Sequence, residues 1–459
     1  MVEGRTHKPV ILKDRCQQCN ICIRGCPAEL IPEFRQEDNS LRGTIYGGKA
    51  SSLPPKASDP LPPCQDACPI HQDTRGYAAL VAQGKFSEAL ELIRQTNPLP
   101  AICGFVCHHP CEEACLREDV DQPVPLRLLK RFVAEVENAE VPKAAKPRRL
   151  KRGKVLVVGS GPAGLTAAHD LSLLGYRVTI WEALPVLGGM LAVGIPEFRL
   201  PRGILHHEIE RIQNLGVEIE TGHRFSLEPG KKALSKLGYD AAFIATGAHR
   251  SVRLNLPGED RNGTLYGVEF LRDVNLGKKV EIGKRVVVIG GGNVALDAAR
   301  TALRLGSRVE IYYRRSRGEM PAIPEEVDEA IREGIRLHLL TGPTRILRKG
   351  ARVAGLECVR MKLGEPDLTG RRRPIPVPGS SFQVSADTLI AAIGQRTDFQ
   401  SLKGLELNKD GTVRVDPQTG ATSSKGIFAG GDVVTGPGWA IDAIQAGKKA
   451  AESIHRYLL

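Results

Sequence analysis

The sequence predicts a doubly wound α/β fold built from two copies of one βαβ unit, preceded by a small α-helical domain and a short cysteine-bearing segment. Three observations carry this prediction. Apolar β-branched runs alternate with helix-length stretches from about residue 154 onward, the pattern of parallel sheet covered by helices. Two of those runs, Val155–Val158 and Arg285–Ile289, lead into glycine-rich loops that open helices. Ten of the eleven cysteines lie between Cys16 and Cys115, ahead of the first glycine loop.

Residues 1–50 form the first cysteine segment, and Ser51-Ser52-Leu53-Pro54-Pro55-Lys56 is a proline-rich joint. Within 51–150, Tyr77, Leu80 and Val81, then Phe86, Ala89, Leu90 and Ile93, recur at three-to-four spacing, so helices are expected there. Residues 141–154 are alanine, proline and cations without an apolar period, a linker into the first strand. The first βαβ unit is strand Val155–Val158, loop Gly159-Ser160-Gly161-Pro162-Ala163-Gly164, a helix to about Leu174 and strand Arg177–Trp181. The second is strand Arg285–Ile289, loop Gly290-Gly291-Gly292-Asn293-Val294-Ala295, a helix to about Leu305 and strand Arg308–Tyr313. The first nucleotide domain is expected over 151–275 and 385–459, with the second inserted over 276–384.

A tight glycine turn lets the backbone approach a pyrophosphate and aims the N–H groups of a helix start at it, so each loop points to a bound dinucleotide. The residue ending the second strand separates the two ligands. In the first unit it is Glu182, an acceptor for ribose hydroxyls that repels a ribose phosphate, as the ADP half of FAD requires. In the second the strand ends at Tyr313-Arg314-Arg315, and paired guanidinium groups suit the 2′-phosphate of NADPH better than the bare ribose of NADH. The bland alternative for Arg314 and Arg315 is a solvated surface pair. Near the C-terminus, Gly430-Gly431-Asp432 precedes a helix start around Ala440-Ile441. Asp432 can accept from ribityl hydroxyls, and the positive helix end would favour a reduced, anionic flavin.

Cys16, Cys19, Cys22 and Cys26-Pro27 have the C-x2-C-x2-C-x3-C-P spacing with which bacterial ferredoxins hold a [4Fe–4S] cube. Short-spaced cysteines in a long chain read as metal ligands rather than disulfides. Structural zinc is the rival, although zinc ribbons favour two separated C-x-x-C pairs. Ten thiols exceed the eight of two all-thiolate cubes and fall short of the twelve of three, so two clusters are expected, with three as the other count. Cys358 stands alone and reads as a small core residue.

The net charge of +12 is scattered apart from residues 143–154 and Arg371-Arg372-Arg373, and aromatic residues, at 5%, do not interleave with it. That is solvated loop charge rather than a nucleic-acid surface, with steering of an acidic redox partner as an alternative. No run of about 18 apolar residues and no signal-peptide pattern occur, so no membrane contact and a cytoplasmic location are expected.

Several motifs then carry a resemblance: Pro63-Cys64-Gln65-Asp66-Ala67-Cys68-Pro69, Asn97-Pro98-Leu99-Pro100-Ala101-Ile102-Cys103-Gly104, Gly194-Ile195-Pro196-Glu197-Phe198-Arg199-Leu200-Pro201, Leu363-Gly364-Glu365-Pro366-Asp367 and Ala392-Ile393-Gly394-Gln395. From about Pro62 onward the chain resembles the glutamate synthase small-subunit family, which includes the N-terminal part of dihydropyrimidine dehydrogenase and the large subunit of ferredoxin:NADP transhydrogenase. The resemblance implies a two-dinucleotide-binding-domain flavoprotein of the pyridine nucleotide-disulfide oxidoreductase kind behind a helical Fe–S domain and a ferredoxin-like segment. It places Gly188-Gly189 and Arg199 near the FAD, and Ala392-Ile393-Gly394 near the dinucleotides. It also implies that Cys68, Cys107 and Cys111 share the cluster nearest the flavin, with Cys103 as fourth ligand, and that Cys64 and Cys115 serve an outer cluster.

Two departures stand out. The C-x-x-C pair that relatives carry before Cys64 is missing from Ser58-Asp59-Pro60-Leu61, and Lys130 stands where some relatives place a glutamine or acidic ligand. Cys16–Cys26 is expected to compensate, by lending thiols or by holding a cluster of its own.

The implied activity is electron transfer between NAD(P)H and [4Fe–4S] clusters through FAD. A hydride delivers two electrons together and a cube accepts one, so the flavin is needed to split the pair. No catalytic histidine or carboxylate is nominated. A disulfide reductase would need a redox C-x-x-C in the flavoprotein body, where Cys358 stands alone. A non-catalytic Fe–S or zinc scaffold is a rival of a different class. Residue 2 is valine and no (β/α)8 domain fits, so the chain is expected to serve a larger redox subunit or a ferredoxin within a hetero-oligomer. The small subunit of glutamate synthase itself is the alternative.

Overall fold

The computed structural model describes residues 61–137, 153–225, 233–259, 263–367, 370–398 and 404–459. The ferredoxin-like segment, with Cys16, Cys19, Cys22 and Cys26, lies outside them. The chain forms two compact units, one to Pro142 and one from Lys143.

The first unit is helical, as the apolar spacing predicts: α1 Pro63–Asp66, α2 Thr74–Ala82, α3 Phe86–Arg94, α4 Pro100–Val106, α5 Pro110–Glu113 and α6 Leu126–Glu137. Proline opens α1, α4 and α5, where its missing N–H and fixed φ cost nothing. Asp73 caps α2 by accepting from the Gly76 N–H at 2.9 Å. Ala89, Leu90 and Ile93 of α3 are fully buried, and so is Tyr77, whose hydroxyl donates to the Leu126 carbonyl at 3.0 Å and ties α2 to the start of α6. A Cβ on Gly104 would stand 2.7 Å from Arg131 Cα, so the backbones of α4 and α6 approach this closely only because residue 104 is glycine.

The second unit holds two five-stranded parallel sheets of matching design. The first runs β16-β4-β1-β2-β3, from β1 Lys154–Val158, β2 Arg177–Glu182, β3 Glu218–Thr221, β4 Ala241–Ile244 and β16 Ile427–Ala429. The second runs β6-β14-β7-β8-β9, from β6 Thr264–Tyr266, β7 Arg285–Ile289, β8 Arg308–Tyr312, β9 Arg336–His338 and β14 Thr388–Ala391. In both, the strand feeding the glycine loop lies centrally, with Val158 opposite Trp181 and Ile244, and Ile289 opposite Tyr312 and Ala391. Burial on both faces explains the unbroken apolar runs of β1 and β7. Helix α7, Pro162–Leu173, follows the first loop, and α12, Asn293–Arg304, the second. The C-terminal helix α15, Ala440–Leu458, packs on α7 where a Cβ on Gly447 would run into the Ala163 carbonyl.

The expected boundaries of the inserted domain, 276 and 384, shift outward. β6, the helix Gly267–Asn275 and β14 all belong to the second sheet or pack on it. The reason is topological: the inserted sheet completes itself with a strand on the way in and another on the way out, and a three-residue strand such as β6 leaves no readable period. The antiparallel strands β10 Thr341–Lys349, β11 Arg352–Pro366, β12 Arg372–Pro376 and β13 Phe382–Ser385 form a separate layer. Cys358 is fully buried in its core, as expected of a packing residue, and burial pushes its thiol up to about 12.

Candidate functional site

The first glycine loop is fastened from below and open above. Gly159 has φ +104°, and a Cβ there would run into the Ala245 carbonyl at the end of β4; one on Gly164 would collide with the Gly159 carbonyl. Glu182, 5% exposed at the end of β2, accepts from the Ser160 N–H at 2.9 Å and the Ser160 hydroxyl at 2.6 Å, and its other oxygen accepts from the Leu184 N–H at 2.8 Å. The Ser160 hydroxyl in turn accepts from the Gly188 N–H at 3.0 Å. Gly189, with φ +54°, folds against the loop so that a Cβ would lie 3.0 Å from Gly161 Cα. A Cβ on Gly161 would meet nothing within 4 Å, so the loop presents open backbone at the N-terminus of α7.

The C-terminal return reaches the same place. Gly431, with φ +73°, brings its Cα side within 3.1 Å of the Ala163 Cβ for an added carbon. Asp432 follows, accepting from the Gly438 N–H at 3.2 Å, and burial pushes its carboxyl up to about 6. Ala440 and the buried Ile441 begin α15 just beyond. Thus Gly159–Gly164, Glu182, Gly188, Gly189, Gly431 and Asp432 converge, with Ala440 and Ile441 next in chain. An open glycine face at a helix start, a buried acid at the second strand end and a second acid just past the return strand fit the pyrophosphate, ribose and ribityl portions of FAD.

The second loop repeats the construction. A Cβ on Gly290, at φ +147°, would run into the Ala392 carbonyl, and one on Gly291 would stand 2.6 Å from the Tyr313 ring. Gly292, before α12, has only Pro321 Cγ near, at 3.6 Å. Asn293 accepts from the Ile323 N–H at 3.1 Å, Val294 lies against Gly267, and Ala295 is fully buried. Ala392 is held on Ile289 by its N–H at 2.8 Å, while Ile393 is 43% exposed and Gly394 has φ +143°. Open loop backbone beneath an aromatic wall fits a second dinucleotide.

A feature missed in the sequence explains both loops. Ala241–Gly247 and Thr388–Gly394 correspond position for position, and Ala245 and Ala392 supply the carbonyls that wall Gly159 and Gly290. The shared ending, apolar strand then Ala-x-Gly, was the available signal.

The arginines expected at the two sites differ in setting. Arg314 is exposed, whereas Arg315 is buried, with Nη2 on Asp367 Oδ2 at 2.6 Å and Nε on the Arg372 carbonyl at 2.8 Å. Successive residues of an extended chain face opposite sides, so one guanidinium turns to solvent and the other inward. Arg199, expected near the FAD, reaches across to the second half, with Nη1 on Asp297 Oδ2 at 2.7 Å and Nη2 on Glu326 Oε1 at 2.9 Å. A buried guanidinium settles where carboxylates neutralise it, and those lie on α12 and on α13, Pro324–Arg332.

In the helical unit Cys64, Cys68, Cys103, Cys107, Cys111 and Cys115 are all buried and none forms a disulfide. Burial pushes the Cys103 and Cys111 thiols up to about 12 and raises Cys107; each also meets the Lys130 cation and the Cys68 sulfur. Cys68, Cys103, Cys107 and Cys111 therefore form one electrostatic neighbourhood around Lys130, which is 5% exposed on α6. The Cys64 sulfur accepts from the Thr74 hydroxyl at 3.2 Å, and the Cys107 sulfur from the His109 N–H at 3.4 Å. Among the described residues no three His, Cys, Asp or Glu side chains converge on a single-ion geometry. A cube asks for something different, since each of its thiolates binds a separate iron. A soft, buried, all-thiol set fits iron–sulfur chemistry.

Comparison with known proteins agrees with this division. The family model described as pyridine nucleotide-disulphide oxidoreductase matches residues 153–447, and that of dihydropyrimidine dehydrogenase domain II, 4Fe-4S cluster, matches 59–141. The NADP(+)-dependent formate dehydrogenase subunit beta of Moorella thermoacetica is 48% identical over 86% of this chain and 60% of its own length. The NADPH-Fe(3+) oxidoreductase subunit beta of Geobacter sulfurreducens is 44% identical over 86% of this chain and 63% of its own. The glutamate synthase [NADPH] small chain of Halomonas elongata is 34% identical over 86% of this chain and 88% of its own. The chain thus spans about three fifths of the first two relatives. Among solved structures, Mycobacterium tuberculosis FprA in complex with NADPH matches with a TM-score of 0.58 at 21% identity, over 67% of this chain and 85% of that one, a likeness of fold. No helix among the described residues is long and apolar enough to cross a membrane.

Proposed function

The chain belongs to the pyridine nucleotide-disulphide oxidoreductase family, and on that footing we propose that it is an electron-transfer subunit linking NADPH, through FAD, to [4Fe–4S] clusters that serve a partner. The observation that carries this reading is the presence, in one chain, of two open glycine loops of matching build and a buried six-thiol set without disulfides.

FAD would lie on Gly159–Gly164, with Gly188 and Gly189 closing one side, Glu182 at the ribose and Asp432 at the ribityl chain. To accept a ribose hydroxyl, Glu182 can exchange the Ser160 hydroxyl, since the Ser160 N–H and the Leu184 N–H still hold its two oxygens. NADPH would lie on Gly290–Ala295, with Ala392-Ile393-Gly394 beside it. The bound flavin supplies the exchange between paired and single electrons. The residues bind, orient and tune, and none is needed as an acid or base.

Cys68, Cys103, Cys107 and Cys111 would hold one cluster of the helical domain, and Cys64 and Cys115 would contribute to a second together with thiols of Cys16, Cys19, Cys22 and Cys26. The partner is a larger redox subunit or a ferredoxin in a hetero-oligomer, in the cytoplasm. The subunit-beta relatives support that assembly, and their higher identity favours it over glutamate synthase proper, whose small chain is nonetheless matched over more of its own length.

The test is anaerobic purification of the full chain, followed by NADPH addition with flavin absorbance and low-temperature EPR recorded together. Flavin bleaching accompanied by reduced-cluster signals is expected. Protein with no FAD, or with no iron and acid-labile sulfide, would overturn the proposal.

A further inference from the structure

We propose that the buried ammonium of Lys130 compensates the negative charge of the cluster held by Cys68, Cys103, Cys107 and Cys111 and so raises its reduction potential, as a neighbour of the thiolates and not as a ligand to iron. The inference rests on the ligand set proposed above and deepens it, by assigning the residue that tunes that cluster.

Helix α6 lays one face against the cysteine-bearing elements. Arg127, Lys130 and Arg131 share that face, at spacings of three and four. The Arg127 N–H donates to Glu112 Oε1, beside Cys111, at 2.6 Å, and the Arg127 Nη1 donates to the Cys107 carbonyl at 3.4 Å. Arg131 anchors the other side: its Cα would stand 2.7 Å from a Cβ on Gly104, the neighbour of Cys103, and its guanidinium lies over the Phe105 ring. Lys130 sits between these two anchors and is buried, so its side chain is directed among the same cysteines. Burial alone would lower its pKa, yet the sulfurs of Cys103, Cys107, Cys68 and Cys111 outweigh that effect and raise it. Four sulfurs, and no carboxylate, are its chief countercharges.

A second donor faces the same set. Asn97 is fully buried, and its Oδ1 accepts from the Leu99 N–H at 2.9 Å, which fixes the amide plane. Its Nδ2, buried and short of a regular hydrogen bond, faces Cys103 closely enough to favour the thiolate. An ammonium and an amide donor sealed among four thiols are costly to bury without an anion, and a thiolate-held cube supplies one. The negative charge of a cube grows by one on reduction, so a fixed cation beside it favours the reduced form and lifts the potential. An ammonium has no lone pair to give to iron, so Lys130 contributes charge and not ligation.

EPR-monitored redox titration of the anaerobically purified full chain would follow this cluster, identified as the signal lost in Cys107→Ser. Lys130→Met should keep its iron and shift the one-electron equilibrium toward the oxidised form by about tenfold or more, a fall of about 59 mV or more. Lys130→Arg keeps the charge and should recover most of that shift. An unmoved potential in iron-replete Lys130→Met overturns the inference and leaves the electron-transfer reading intact, whereas wild type without iron overturns both. Should Lys130→Met fail to assemble, wild type grown on lysine labelled with the heavy nitrogen isotope decides the matter. Pulsed EPR of its reduced cluster should show a weak nitrogen coupling, as from an N–H donor beside sulfur. A strong coupling, marking nitrogen bound to iron, or no coupling at all, overturns the inference.

Discussion

Arg199 and Asp297 form a buried ion pair, Nη1 to Oδ2 at 2.7 Å, that joins the loop following Gly194 in the first dinucleotide half to helix α12 of the second. Glu326 takes the other arm of Arg199 at 2.9 Å and is itself held by Arg300 at 2.8 Å. Phe198, the residue before Arg199, lies under the guanidinium groups of Arg300 and Arg304. The two nucleotide halves are thus bolted by charge at a point with little access to water.

Removing one partner of such a pair leaves an uncompensated charge in a dry site. Arg199→Met is expected to lower unfolding free energy by about 3–5 kcal/mol, read from the denaturant midpoint. The double variant Arg199→Met, Asp297→Leu should recover much of that loss, because replacing a buried pair by apolar residues is often nearly neutral. A midpoint unmoved by Arg199→Met would show that the fold does not depend on this pair.

The glycines of the first loop divide into two classes. Gly164→Ala drives a Cβ into the Gly159 carbonyl and is expected to destabilise the fold by about 1–3 kcal/mol. Gly161→Ala meets no protein atom within 4 Å and should leave apoprotein melting within a degree or two of wild type while abolishing flavin retention. Flavin content and thermal melting measured on both variants separate the two effects.

Asp432 should give the apoprotein a pH dependence. Burial raises its folded pKa to about 6, whereas an unfolded aspartate titrates near about 3.9. The folded chain therefore holds an extra proton between those values, and the associated stability, present in full below about pH 4, is lost as pH rises through about 6. Asp432→Asn should remove this decline, a difference of up to about 3 kcal/mol between pH 4 and 7 in urea unfolding. Parallel wild-type and variant curves would refute it.

Cys103 is the deciding thiol for cluster ligation. If Cys68, Cys103, Cys107 and Cys111 hold one cube, Cys103→Ser and Cys107→Ser should each remove about four irons, and the double variant no more. Cys64→Ser should affect a different cluster, visible as loss of a different EPR signal. Full iron in Cys103→Ser would return that residue to the role of a core thiol.

Much of the α/β body was legible because strand period, glycine turn and strand-end acid are local. β1, β2 and β7 fall within a residue of expectation, since an apolar run bounded by a charge and a glycine has one reading. The same holds for Glu182, which sits at the end of β2 beside the loop as its position implied. The domain boundary was not legible, because the membership of Thr264–Tyr266 in the second sheet depends on a strand more than 100 residues later in the chain.

Spacing and residue type settled that this chain has two glycine loops of nucleotide-binding form and a thiol-rich helical domain, because those patterns arise from neighbours along the backbone. Which charged side chain faces which partner was decided only on folding. Arg199 turned to Asp297 and Arg315 to Asp367, since a buried guanidinium follows the nearest carboxylate in space, and that carboxylate lies 98 residues away in one case and 52 in the other.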